Sequence, residues 1–159
     1  MVTKVADKIV KVNDVLNVDE EHGLVFGYAI VSKVRADDGT FEDYYDLNVD
    51  TDGVHKGQRV PEHITEDAMF KAAVDAAETG MQMAGNDMHA GPDVGSYYFM
   101  LPVTEEMAKA LNWTVEKTGL VVGYHPADDD ILAKFKDGTY TGFSIEGARV
   151  EYEEVEDGN

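Results

Sequence analysis

The chain has no cysteine, which excludes a disulfide framework, a thiolate zinc site and a cysteine nucleophile, and is compatible with a reducing compartment. Long apolar runs are also missing. The longest, such as residues 24–30, fall far short of the roughly 20 residues a membrane-spanning helix needs, so no membrane partner is expected. Residues 1–4 lead into a charged, mixed segment instead of an apolar core, and no signal peptide is expected. Arginine is scarce: only Arg35, Arg59 and Arg149 are present. With 32 acidic against 13 basic residues the formal net charge is −19, which argues against a nucleic-acid partner, because phosphate contacts require clustered Lys and Arg. Such a surface suits solubility or docking onto a basic partner, and a well-solvated face is the simpler reading.

What is present suffices for one core. At 159 residues and 43% hydrophobic content the chain fits a single domain better than two. Residues 1–20 read as an N-terminal arm whose structure is left open, and 21–159 as one domain with an acidic end at 151–157. The β-rich run 24–34 stops at Asp37-Asp38-Gly39-Thr40, and the alternating aromatic run 41–47 follows, which reads as a hairpin. Residues 48–63 look like loop. Thr65 reads as the N-cap of a helix over 66–78, with acids in the first turn and Met69, Ala72, Ala73 and Ala76 at helical spacing. Residues 81–89 read as a strand entering a Gly91-Pro92 loop, 94–101 as a strand, 104–111 as a capped helix and 120–125 as a buried strand stopped by Pro126. Asp128-Asp129-Asp130 opens a helix through Phe135 that closes at Asp137-Gly138, and 139–154 alternates like a long strand. The expected class is α+β, mainly β: a closed or nearly closed barrel decorated by short helices.

Two segments carry chemistry, Asp87-Met88-His89-Ala90-Gly91 and Thr141-Gly142-Phe143-Ser144-Ile145-Glu146-Gly147. One offers a base and the other a hydroxyl nucleophile, each beside small residues that leave room for a substrate backbone. The G-x-S-x-G elbow of α/β-hydrolases is not matched, since Glu146 stands where its second glycine belongs. Other motifs read as structural. Asn48-Val49-Asp50-Thr51-Asp52-Gly53 imitates half of a calcium loop, but Arg59 occupies the position of the bidentate acid, leaving an Asx-rich turn as the better reading. Asp128 to Asp130 are explained by capping and the helix dipole. His55 and His63 lack the frame of a zinc site, and Tyr97-Tyr98-Phe99 fits core packing better than ligand stacking.

The order of motifs from residue 24 to 152 resembles the phage serine protease domain of the XkdF type, in the prohead (capsid maturation) protease group. The resemblance rests on Met88-His89-Ala90-Gly91, Val94-Gly95-Ser96, Pro102-Val103-Thr104, Gly119-Leu120-Val121-Val122-Gly123-Tyr124, Lys136-Asp137-Gly138-Thr139-Tyr140 and the segment around Ser144. It implies a fold similar to herpesvirus assemblin and a serine endopeptidase that uses no cofactor and no metal. Its substrates would be scaffold and capsid proteins, cleaved in the host cytoplasm and then inside the prohead. His89 would be general base and Ser144 nucleophile, with oxyanion donors sought near Arg149. Herpesvirus proteases use a second histidine downstream of the serine, and none follows Ser144. On a strand, Glu146 would share Ser144's face at about 6.5–7 Å, making it the candidate third member. Asp87, Asp93, Asp46 and Asp50 stay open, as does a dyad without a third residue. The rival reading keeps the fold but not the activity, as a scaffold, decoration or adaptor protein. Oligomeric state is left open.

Overall fold

The computed structural model describes residues 15–49, 57–78, 84–87 and 90–140. β1 (Val15–Asp19) turns through Gly23 and pairs antiparallel with β2 (Leu24–Arg35), the long β-branched and aromatic run. At its far end β2 turns through Asp37-Asp38-Gly39-Thr40 into β3 (Phe41–Asp43). The aromatic run divides there. β4 (Asp46–Val49) leaves the main sheet and pairs with β5 (Arg59–Glu62) as a separate two-stranded sheet. Helix α1 (Glu66–Glu78) follows, then β6 (Ala84–Asp87), β7 (Ala90–Val103), α2 (Glu105–Ala110), β8 (Lys117–Pro126) and α3 (Asp129–Lys136).

The main sheet runs β1-β2-β8-β7-β6, with β3 also on β2, and every pairing in it is antiparallel. Placing β8 between β2 and β7 makes the last described strand the centre of the sheet, where Val122 faces neighbours on both sides. The fold is therefore α+β, mainly β, with three short helices among the described residues. Among the described residues β1 and β6 do not pair, so this sheet is open and the expected barrel closure is not seen.

One face carries the core. Ile30, Leu120 and Val122 pack against Met69 and Ala73 of α1, and the continuation of that face, Val25 and Tyr124, packs against Phe135 of α3. Tyr97 joins both groups, its ring 5.1 Å from that of Tyr124. Bulges between Tyr28 and Ile30 and between Tyr97 and Phe99 shift the alternation. The opposite face holds Phe26, Tyr98 and Phe99, with ring centroids 5.1–6.4 Å apart. Gly123 lies beneath them: a Cβ there would fall 2.2 Å from Phe99 Cε1, so the rings close over bare backbone.

Local signals set the element ends. Thr65 Oγ1 accepts from Ala68 N–H at 3.1 Å, Thr104 Oγ1 from Met107 N–H at 3.2 Å and Asp128 Oδ1 from Ile131 N–H at 2.9 Å. Asp-Gly-Thr is used twice as a turn. Asp38 Oδ1 accepts from Thr40 N–H and Oγ1 at 2.9 and 2.6 Å, Asp137 Oδ1 from Thr139 N–H and Oγ1 at 2.8 and 2.6 Å, and the glycine between takes φ of 86° or 84°. These bonds, the side-chain one first, hold both carboxyls below the usual carboxylate range.

Three expectations are corrected. Residues 48–63 are not all loop, because Asn48 pairs with Val60 and Val49 with Arg59. Pro61 sits opposite Leu47 in this two-stranded sheet, where a missing N–H is tolerated on an edge. Gly91 and Pro92 are strand residues of β7, with Asp93 paired to Asn86. Thr139 and Tyr140 are not strand but the turn and coil that follow α3, and the rest of the expected strand at 141–154 lies outside the described residues.

Candidate active site

His89, Ser144, Glu146 and Arg149 lie outside the described residues, as does Asp50. What the structure supplies is the framework on which their segments are hung. Asp87 and Ala90, the neighbours of residues 88–89 in sequence, are register partners across β6 and β7. Further along, Gly95 pairs with Gly85 on one side and Pro126 on the other. The start of β7 thus lies at the end of the sheet where β8 gives way to α3. Of the candidate third members, Asp87 and Asp93 belong to this β6–β7 hairpin. Asp46 begins β4 in the other sheet.

The approach to the serine segment is anchored at the same end. Phe135 of α3 stands on Tyr124 at 5.8 Å between centroids, and Tyr140 stands on Phe135 at 5.3 Å. Tyr140 N–H donates to Lys134 C=O at 2.9 Å and the Lys134 ammonium lies 5.2 Å from the Tyr140 ring centroid. Lys136 closes the helix onto the β1–β2 turn through Glu20 at 2.6 Å. Tyr140 therefore ends an aromatic stack whose base, Tyr124, is two residues from the end of β8. Burial pushes the Tyr97 phenol up, as expected for a ring packed inside this stack.

A shallow hollow of about 130 Å³ opens at this end of the sheet, between Gly23, His125, Asp128 and Leu132. His125 is exposed, and its register partner across β7 is Ser96, also exposed. The described geometry thus places a serine beside a histidine, though no hydrogen bond joins hydroxyl and ring. Sequence reasoning missed this pair, which pairing register alone creates between residues 29 positions apart in the chain.

Two further histidines have carboxylate neighbours. His63, mostly buried, has Nδ1 2.8 Å from Tyr44 C=O and Nε2 3.7 Å from Asp43, and its ring lies 5.2 Å from that of Tyr45. It ties the β3–β4 junction to the entrance of α1, and no hydroxyl nucleophile is bonded to it. His22 Nδ1 lies 2.9 Å from Asp19 in the exposed β1–β2 turn, and hydrogen bonds from His22, the backbone one first, hold the Asp19 carboxyl low. Among the described residues no group of three or more His, Asp or Glu could hold a metal ion. The calcium-like run 50–53 and His55 lie outside them, and no described helix is long and apolar enough to cross a membrane. Comparison with protein-family models, curated proteins and solved structures finds no match.

Proposed function

We propose that the chain is a serine endopeptidase of phage head maturation, acting on scaffold and capsid-protein segments. The observation that supports this reading is that the described neighbours of the two chemistry-bearing segments, Ala90 at the start of β7 and Tyr140 on the Tyr124–Phe135 stack, both belong to the end of the sheet where β8 gives way to α3. Residue 89 is one step from Ala90 of β7, and residue 144 is four steps from Tyr140 on the Tyr124–Phe135 stack. The antiparallel, mainly β architecture supports the same reading, whose finer form is an assemblin-like sheet completed toward a barrel by the segment after Tyr140.

In this mechanism His89 accepts the proton of Ser144 Oγ as the oxygen bonds to the substrate carbonyl carbon. The tetrahedral oxyanion is met by backbone N–H donors near Arg149. His89 then gives the proton to the leaving amine as the C–N bond breaks, and water, deprotonated by His89, releases the acyl group. Glu146 orients the imidazole. No metal or cofactor enters.

The test is processing of the scaffold and capsid proteins of the parent phage, and of the chain's own termini, read by intact mass. Ser144→Ala and His89→Gln should each abolish cleavage while leaving circular dichroism unchanged, and Ser96→Ala should cleave normally. Unchanged processing by Ser144→Ala would overturn the assignment. Loss in Ser96→Ala alone would move the nucleophile to the β7–β8 pair.

A further inference from the structure

Away from the β6–β7 end, α2 and the turn after it expose three large apolar side chains: Met107 at 36%, Leu111 at 42% and Trp113 at 51%. Met107 and Leu111, four apart, share one side of the helix, while Ala108 on the inner side is buried. The exposed set is held rigidly. Thr104 caps the helix, Leu111 N–H donates to Met107 C=O at 3.0 Å, Asn112 takes a positive φ of 55°, and Trp113 N–H returns to Ala108 C=O at 2.8 Å. A tryptophan fixed half in water on an ordered turn is a hydrophobic cost that a binding partner removes, and such residues recur as interface anchors.

The rim of this patch is acidic. Glu105 and Glu106 form the first turn of α2, and Glu116, 72% exposed at its side chain, follows the tryptophan. Arg35 brings a second acidic turn alongside. Its Nε and Nη2 donate to Val115 C=O at 3.2 and 2.8 Å and its Nη1 to Gly39 C=O at 3.0 Å, so exposed Asp37 and Asp38 flank the same turn. Arg35 is itself spoken for, by Glu116 at 3.6 Å and the Phe41 ring at 4.6 Å. Lys109 is the one basic side chain of α2. A second copy of this chain, with a formal charge of −19, would be repelled.

We propose that the Met107–Leu111–Trp113 face, with its acidic rim, docks a basic amphipathic segment of a partner protein, apolar residues on the patch and Lys or Arg over the carboxylates. It is a binding surface separate from the proposed catalytic end and does not depend on that assignment.

Trp113 is the only tryptophan of the chain, so its fluorescence reports the patch directly. The probe is a synthetic amphipathic peptide of about four helical turns, Lys on one side and Leu and Phe on the other, titrated into the full chain. Expected is a saturable blue shift of Trp113 emission, weakened about tenfold or more in M107S/L111S, which keeps the reporter but loses the anchors. Affinity should also fall in E105Q/E106Q, and on raising ionic strength from about 0.1 M to about 1 M, which shortens screening from about 10 Å to about 3 Å. Circular dichroism of both variants checks that the fold is kept. The proposal is overturned if the wild type shows no saturable shift, if M107S/L111S binds as well, or if an equally charged peptide with its Leu and Phe replaced by Ser binds equally.

Discussion

Replacing Met69 by alanine measures how much of the fold rests on the docking of α1. Met69 is 0% exposed, enclosed by Ile30, Ala73, Leu120 and Val122. The change removes Cγ, Sδ and Cε; at about 0.8 kcal/mol per buried methylene-sized group that costs about 2.4 kcal/mol in transfer alone. The vacated space adds to this, since sheet and helix collapse only partly, and Met→Ala in a core spans about 2–5 kcal/mol in total. We expect about 3–4 kcal/mol, a large part of the roughly 5–15 kcal/mol that holds a domain together. In urea this appears as a lowered midpoint with unchanged slope, and in a thermal scan as a fall of about 2–4 °C for each kcal/mol in a chain of this size. The neighbouring Phe70→Ala is the control. Phe70 is the bulkier side chain but is 43% exposed, so an argument from burial expects the smaller loss there. A loss below about 1 kcal/mol at Met69, or one smaller than at Phe70, would refute the placement of α1 against the sheet.

Gly123→Ala should cost about 1–3 kcal/mol through overpacking, because the new methyl meets Phe99 and Tyr98 at 2.2 and 2.6 Å; urea midpoints give the value. Adding Phe99→Ala to it should cost less than the sum of the two single changes, and strict additivity would show that the rings yield freely. Thr139→Val removes the 2.6 Å hydroxyl bond to Asp137, so the Asp137 carboxyl should titrate closer to its ordinary value in an NMR pH series. The sign is fixed: a carboxyl held low in the folded state contributes stability above its unfolded pKa and loses it as pH falls through the folded one. That window lies below about pH 4, and the variant should gain less from raising pH through it. An Asp137 titration identical to wild type would mean that the backbone bond from Thr139 alone sets the shift.

The parts legible in the sequence are those decided within a few residues. Thr65, Thr104 and Asp128 announce helices because each cap satisfies a backbone N–H three positions on, and Asp-Gly-Thr announces two turns because one glycine takes positive φ while one carboxylate binds the next residue. What sequence could not carry is partner choice. The alternating run from Phe41 reads as one strand, yet its register with β2 ends at Asp43 and the next strand pairs with Arg59–Glu62 instead. Local pattern specifies a pleat but is silent about which edge it meets. Gly91 and Pro92 fail as loop markers because they fall inside the run of β7, as the extra residues of the register shift between the Asn86–Asp93 and Asp87–Ala90 pairs.

The candidate site divides along the same line. That a histidine and a serine could act together is a statement about residue types, available before any fold. Whether they meet depends on β8 lying between β2 and β7, since that order brings the start of β7 and the end of α3 to one end of the sheet. No periodicity encodes such an insertion, in which a strand near residue 120 separates two that precede it. The same order also creates the Ser96–His125 neighbours, a pairing with no signature in the chain. Spacing alone therefore ranks serines poorly in this fold, and the comparison of Ser144→Ala with Ser96→Ala matters more than either variant alone: Ser96 already lies beside His125 across β7 and β8, and only a hydroxyl that receives an imidazole's help can act as a nucleophile.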